Sequence, residues 1–233
     1  MDYKDNDQDE AEYGGEKKKK SWMFRAFKWI IYSVSAIVVI ITVYRCSSTA
    51  MPADLKNYII GSPKIEQAYN VLEKKDDFVI YTLDIRNAFA RGDAFFADNV
   101  RYLESAETLQ LTLRCKTSRF PDLFGAAENT NLAKLFKVYL KISETSESPD
   151  ADYEIMESAG EARSGKSSDS YVYFLYSFDE VKIDYAKSKI ELYVFYNDPE
   201  TSFDEDECLA RFTLFDVNMP KTKEKMKKFT IHN

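Results

Sequence analysis

Residues 107–115 read ETLQLTLRC, and this stretch decides the fold class of the domain. Apolar and polar residues alternate along it: the apolar positions are Leu109, Leu111, Leu113 and Cys115, and the polar positions are Thr108, Gln110, Thr112 and Arg114. Successive side chains of a β-strand point to opposite faces of the sheet, so a period of two places every apolar residue on one face. The stretch therefore predicts a strand with one buried and one polar face, which is typical of an antiparallel sheet.

The same alternation recurs before and after this strand. The apolar, inward-facing sets are Val79, Tyr81, Leu83 and Ile85; Phe136, Val138, Leu140 and Ile142; Ile190, Leu192, Val194 and Tyr196; and Ala210, Phe212 and Leu214. Two further runs, YVYFLYSF at 171–178 and KKFTI at 227–231, are strand-like without a clear apolar face. Seven such runs between polar loops predict a mainly β domain over residues 78–233, an antiparallel β-sandwich of Ig-like architecture.

A second stretch predicts a membrane helix. Residues 29–44, WIIYSVSAIVVIITVY, carry no charge in a chain with 30% charged residues. As a helix they would span about 24 Å, and extension back to Trp22 covers a hydrocarbon core of roughly 30 Å. We therefore predict a transmembrane helix over residues 22–45, with residues 22–44 in the bilayer. A buried core helix, or a signal peptide cleaved after the small residues Ser48 and Ala50, is the alternative.

The flanking charges predict the orientation of this helix. Its N-terminal side carries six cations: Lys17, Lys18, Lys19, Lys20, Arg25 and Lys28. The far side has Arg45 and then Lys56, so the positive-inside rule predicts a cell-membrane protein with a cytoplasmic N-terminus and an extracytoplasmic C-terminal domain. Residues 1–21 are polar and charged and are expected to form a disordered cytoplasmic tail.

Residues 46–77 are predicted to be a membrane-proximal connector with one short helix. Ser62 is a candidate N-cap and Pro63 a candidate first helical residue. Ile65, Ala68 and Leu72 follow at helical spacing, so we expect a helix that runs to about Lys75.

Charge and motif context exclude two partner classes. The formal net charge is -7, and residues 46–233 alone hold 24 cations and 32 acids. An acidic domain is unsuited to nucleic acid and is expected to stand off an anionic bilayer. The string from Gly160 to Ser167 matches the P-loop pattern GxxxxGKS, but a strand pattern follows it, whereas a phosphate-binding loop must open a helix. We therefore interpret it as a flexible polar loop without nucleotide.

The loop at 197–207, NDPETSFDEDE, is the candidate metal site. Asp198, Asp204 and Asp206 could supply oxygens to Ca²⁺, which takes six to eight of them. A solvated acidic loop is the simpler interpretation, because the spacing does not follow an EF-hand.

The cysteines and the single histidine bear on stability and catalysis. Cys115 and Cys208 both fall on inward positions, which permits either a disulfide across the core or two buried thiols. His232 is the only histidine and the next-to-last residue, so the sequence disfavours a Ser-His-Asp triad and a zinc site with several histidine ligands. We predict neither a cofactor nor an enzymatic activity.

Four aromatic residues occupy outward positions: Tyr139, Tyr193, Phe195 and Phe215. They indicate either a partner surface or strands that are covered on both faces. Together these features predict a membrane-anchored, extracytoplasmic, non-catalytic binding or assembly module with a protein or surface partner. The alternative is a calcium-dependent binding module, or an extracytoplasmic enzyme, that uses the acidic 197–207 loop.

Overall fold

The computed structural model describes residues 13–49, 51, 53–73, 77–90, 93–120, 135–144, 153–157, 159–168, 171–197 and 203–232. The chain divides into two compact units, Met1–Ala50 and Met51–Asn233.

The described residues of the first unit form one long helix, α1 (Tyr13–Thr49). Its segment Trp22–Tyr44 has a mean hydropathy of 2.1 and is long and apolar enough to cross a membrane. The helix begins at Tyr13, so residues 13–21 of the predicted disordered tail are helical. Lysine and glutamate are good helix formers, and a stable apolar helix lets them extend it at no nucleation cost. Residues 1–12 of that tail lie outside the described residues.

The second unit is mostly β. Its described elements in chain order are α2 (Ala53–Lys56), β1 (Tyr58–Ile60), α3 (Pro63–Val71), β2 (Val79–Leu83), β3 (Arg86–Ala90), β4 (Phe95–Leu103), β5 (Thr108–Lys116), β6 (Phe136–Glu144), β7 (Tyr153–Glu157), β8 (Ala159–Ser168), β9 (Tyr171–Phe178), β10 (Ser188–Tyr196), β11 (Ala210–Phe215), β12 (Lys221–Lys225) and β13 (Thr230–His232).

Two antiparallel sheets and one strand pair form this unit. The five-stranded sheet has the order β3-β11-β10-β6-β7, and the six-stranded sheet has the order β12-β2-β4-β5-β9-β8. The predicted strand at 107–115 is β5, which pairs with β4 on one side and β9 on the other. The mainly β, antiparallel prediction is confirmed.

A central core contains the inward residues of both sheets. Leu109, Leu111, Leu113 and Cys115 of β5 belong to the same buried cluster as Val138 and Leu140 of β6, Ile190, Leu192 and Val194 of β10, and Phe212 and Leu214 of β11. The alternation therefore assigned the buried face of these strands correctly. Phe215, predicted to face outward, also lies in this core, because a register shift between β10 and β11 places it opposite Ile190.

Two strands lie outside the predicted strand runs. β7 pairs with β6 at one edge of the five-stranded sheet. β8 contains the Gly160–Ser167 string, which was predicted to be a flexible loop, and pairs with β9 at one edge of the six-stranded sheet. Edge strands bond through their backbone on one side and tolerate polar side chains, so they lack the apolar alternation that identifies a strand in the sequence.

Residues 58–72 of the predicted connector pack against the domain. β1 and β13 form a parallel pair, with Ile59 opposite Ile231. Together with α3 they form a layer on the outer face of the six-stranded sheet, and we call this the β1 layer. Its own buried cluster comprises Ile59, Ile65, Phe78, Ile80, Leu103, Ala106 and Met226. All residues of the buried clusters belong to Met51–Asn233, so this unit has a core of its own.

The ends of α3 agree partly with the sequence. Ser62 is the N-cap, and its hydroxyl oxygen accepts from the Ile65 amide at 3.3 Å, as predicted. The helix ends at Val71 rather than near Lys75, because Leu72 adopts an extended backbone and packs against the cluster of the β1 layer.

Candidate functional site

The chain changes sheets between β2 and β3. β2 belongs to the six-stranded sheet, whereas β3 pairs with β11 in the five-stranded sheet. β2 pairs with β4 only through Arg101, Tyr102 and Leu103. Among the described strands, none pairs with the same edge of β4 between Phe95 and Asp98. We call this segment the open edge.

The ladder register shows which backbone groups the open edge presents. The Lys116 amide donates to the Ala94 carbonyl at 2.8 Å, so Ala94 and Lys116 form a hydrogen-bonded pair of the β4–β5 ladder. Phe96 and Asp98, two and four residues further along, occupy the equivalent hydrogen-bonded positions. Hydrogen-bonded pairs alternate with non-hydrogen-bonded pairs in an antiparallel ladder. The backbone groups of Phe95 and Ala97 therefore point away from β5, toward the open edge.

A cleft lies beside the open edge where the two sheets separate. We call it the crossover cleft; its volume is about 280 Å³. Its lining residues are Ile85, Ala90, Asp93, Phe95, Phe96, Ala97, Asp98, Arg114 and Phe212. Phe95 and Phe212 are core residues, while Asp93 is exposed. A volume below the roughly 300–1,000 Å³ of small-molecule sites suits one or two peptide side chains better than a cofactor.

An ion pair stiffens the polar wall of the crossover cleft. The Arg114 Nε lies 3.1 Å from an Asp98 carboxylate oxygen. The guanidinium also lies over the rings of Phe96 and Tyr171, at 4.7 and 5.0 Å from their centroids. Burial raises the pKa of Asp98, and the charge of Arg114 partly offsets this rise. The wall of the cleft therefore presents a carboxyl group and a guanidinium group in direct contact.

Sequence reasoning missed this site because it missed β4. A register shift between Asp98 and Arg101, with Asn99 at a φ of 50°, interrupts the alternation of apolar residues. A β-bulge adds one residue to a strand and inverts the phase of the pattern after it. The adjacent aromatic residues Phe95 and Phe96 were the available signal.

A second concavity, of about 520 Å³, lies between α3 and the turn at Glu104–Ala106. Lys64, Val71, Leu72 and Glu107 are among its lining residues, and it is more open than the crossover cleft. Lys64 is already paired with Glu180 at 2.8 Å. Its walls are helix and turn, so it lacks the directional backbone groups of an open strand edge.

The acidic loop covers aromatic residues on the outer face of the five-stranded sheet. Tyr139, Tyr193, Phe195 and Cys208 form a third buried cluster, the aromatic cluster. Phe203 packs onto it, with its ring centroid 5.1 Å from that of Tyr193. Three of the four aromatics predicted to face outward are therefore covered by the chain itself.

Glu205 pins the same loop. One carboxylate oxygen lies 2.5 Å from the Lys141 Nζ, and the other accepts from the Tyr193 hydroxyl at 3.0 Å. Burial alone would raise the pKa of Glu205, but these two hydrogen bonds outweigh it and lower the pKa. Burial, with the charge of Glu191, raises the pKa of Tyr193.

Two of the three candidate calcium ligands lie in the described part of this loop. Asp204 caps the 3-10 turn Glu205–Glu207, and its side-chain oxygen accepts from the Asp206 amide at 3.0 Å. Asp198 lies outside the described residues. Within the described residues, no three His, Cys, Asp or Glu side chains converge as a metal site would require.

The two cysteines lie in different clusters. Cys115 belongs to the central core and Cys208 to the aromatic cluster, on opposite faces of the five-stranded sheet. The structure has both as buried thiols, so the possible bridge between them is not formed. Burial raises the pKa of the Cys115 thiol to about 12.

The remaining predicted residues lie apart from the crossover cleft. Lys17, Lys18, Lys19 and Lys20 are in α1, as are Arg25 and Lys28, which are exposed on it. His232 is in β13, where its ring stacks on Tyr58 at a centroid distance of 4.1 Å. The single histidine is thus part of the β1 layer.

No known protein-family model matches the chain, and no curated protein matches it either.

Proposed function

We propose that this chain is a membrane-anchored, extracytoplasmic, non-catalytic binding or assembly module. Its domain would take an extended segment of a partner protein as an added strand along the open edge of β4. Residues 22–44 would hold it in the cell membrane by a single pass, with the N-terminus in the cytoplasm.

The topology is supported by the charges that flank the helix. Lys17, Lys18, Lys19 and Lys20 precede the apolar segment, and few cations follow it. Positively charged flanks remain in the cytoplasm during insertion. The side chains of Trp22–Tyr44 are not buried by the protein, which suits contact with lipid.

An Ig-like architecture is supported by the change of sheet after β2. The five-stranded and six-stranded sheets share one core, and the chain passes from one to the other at residues 84–86. Sandwich folds commonly contain strands that switch sheets at such a corner.

The open edge is the observation that carries the binding proposal. An unpaired strand edge offers backbone donors and acceptors to any extended peptide, while adjacent pockets select its side chains. Here Phe95 and Ala97 present the backbone groups, and the crossover cleft adjoins them. Native proteins usually cover or block such edges, so an uncovered edge beside a cleft is a candidate partner site.

Ala97→Pro tests the proposal directly. Proline removes the outward amide and blocks strand addition, yet edge strands tolerate it where the N–H faces solvent. Ala97→Ser keeps the amide and serves as the matched control. We expect peptides selected from a random display library on the wild-type domain to bind the Ser variant and to lose binding to the Pro variant.

Hydrogen exchange supplies the second measurement. The Phe95 and Ala97 amides should exchange fast in the unbound protein and slowly in the complex. Selected peptides that bind the Pro variant as tightly as the wild type would overturn strand addition.

Protease treatment of intact cells tests the membrane topology. The protease should digest the domain; digestion confined to the N-terminal residues would overturn the topology.

A further inference from the structure

A basic segment lies at the free edge of the six-stranded sheet. Residues 221–228 read KTKEKMKK, with five lysines and one glutamate, in a chain whose net charge is -7. They form β12 and the 3-10 turn Met226–Lys228. The acidic average of the domain therefore conceals one strongly cationic corner.

Only some of these lysines are engaged within the domain. The Lys221 ammonium lies 3.1 Å from the ring centroid of Tyr185, and Lys228 pairs with Glu224 at 3.5 Å. Lys223 and Lys225 are exposed and form no ion pair with any described residue. Their charges are available to a partner.

Tertiary structure adds a lysine from the other end of the domain. The Arg101 guanidinium donates to the Lys56 carbonyl and lies 4.7 Å from the ring centroid of Phe229. Lys56, which is exposed, is thus held beside the residue that follows the basic turn. We call Lys56, Lys223, Lys225, Lys227 and Lys228 the basic ribbon.

The ribbon adjoins the strand that tethers the domain. β13 follows the basic turn and pairs in parallel with β1, which begins nine residues after α1 ends. Nine residues span at most about 30 Å. A bilayer to which the chain is anchored is therefore at a high effective concentration for this corner.

We infer that the basic ribbon binds anionic phospholipid headgroups of the membrane to which the chain is anchored. Lysines near an anionic surface gain affinity additively and lose it as salt screens the surface. The stacked rings of Tyr58 and His232 in the same layer suit the headgroup region, where amphipathic aromatic rings collect. The acidic remainder of the domain would face away from the lipid.

The basic ribbon is separate from the crossover cleft; its binding to lipid rests on the proposed membrane anchor but not on the side of the membrane that the domain occupies. The competing explanation is that lysines on an edge strand only prevent pairing with another chain. That explanation requires no affinity for lipid.

Vesicle co-sedimentation of Met51–Asn233, which contains all the buried clusters, distinguishes lipid binding from edge protection. We expect the fragment to bind phosphatidylcholine vesicles that contain phosphatidylglycerol, to ignore phosphatidylcholine alone and to dissociate in high salt. The double variant Lys223→Gln, Lys225→Gln should weaken the partition coefficient by on the order of 20-fold. The matched control, Lys182→Gln with Lys187→Gln, removes two exposed lysines elsewhere and should change little.

Full-length protein in nanodiscs gives an independent readout. Amides of residues 221–232 should exchange more slowly in nanodiscs with phosphatidylglycerol than in nanodiscs of phosphatidylcholine. Equal binding to both vesicle compositions, or equal losses in the two double variants, would refute the inference and leave edge protection as the role of the ribbon.

Discussion

The Arg101 guanidinium donates to the carbonyl oxygen of Tyr58 at 2.9 Å, across 43 residues of chain. A second guanidinium nitrogen donates to the Lys56 carbonyl. Gln110 binds β1 at Ile60 through two hydrogen bonds. Its side-chain amide nitrogen donates to the Ile60 carbonyl at 2.7 Å, and its side-chain oxygen accepts from the Ile60 amide at 3.0 Å. The β1 strand is thus bound through its backbone on one edge by side chains of the six-stranded sheet and on the other by β13.

Arg101→Met should destabilise the domain by about 2–4 kcal/mol, because it removes a buried charged donor and leaves two carbonyls without partners. Burial lowers the pKa of Arg101 to about 10, so the residue is still cationic at neutral pH and its contacts are charge-assisted. Urea unfolding of Met51–Asn233 measures the loss.

The matched control for Arg101 is Arg119→Met, on an exposed 3-10 turn, which should stay within about 0.5 kcal/mol of the wild type. Hydrogen exchange at Tyr58, Ile59 and Ile60 should accelerate only in the Arg101 variant. Unchanged exchange there would show that β13 alone holds β1.

Glu205→Gln should lower the free energy of unfolding at pH 7 by about 1 kcal/mol, since it weakens the contacts with Lys141 and Tyr193. The pKa of Glu205 is lowered by folding, so its contribution is complete above the pKa of the unfolded chain. It is lost as the pH falls through the lower folded pKa, and the two proteins should converge there.

Unfolding curves at a series of pH values test the role of Glu205. Glu207→Gln, on the same turn but exposed, is the control and should follow the wild type throughout. A constant difference between wild type and Glu205→Gln at every pH would mean that the carboxylate charge is irrelevant.

Calcium should not change the melting temperature of the domain. One oxygen of Asp204 accepts from the Asp206 amide, and both oxygens of Glu205 are hydrogen-bonded. A ligand that binds only the native state raises its stability by mass action. Calorimetry measures the melting temperature in calcium and in chelator. A higher melting temperature in calcium would support the alternative interpretation as a calcium-dependent binding module.

Cys115 and Cys208 should resist alkylation in the native domain and both react after unfolding without reductant. Both thiols are buried, and a pKa near 12 leaves almost no Cys115 thiolate at neutral pH. Mass spectrometry after alkylation counts the thiols. If the two thiols react only after a reductant is added, Cys115 and Cys208 form a disulfide, contrary to their placement in different clusters.

Local periodicity explains the successes of the sequence analysis. β5, β6, β10 and β11 each bury one face against the central core, so the alternation of apolar and polar residues records their burial directly. β4 was missed because its bulge shifts the phase, and β7 and β8 because they are edge strands with polar side chains. The crossover cleft depends on β4 and could not be found without it.

The sequence by itself determined the apolar helix and the faces of the central strands, because both follow from residues that are neighbours along the chain. Tertiary structure alone decided what covers the outer face of each sheet. β1 and β13 cover one of them, although more than 160 residues separate them, and Phe203 covers the aromatic cluster on the other. The open edge of β4 was likewise decided there, since it exists only because β2 leaves its sheet after Leu83. The physical reason is that backbone pairing is independent of side-chain type, so a strand's partner is selected by the packing of the whole domain and leaves no local pattern to read.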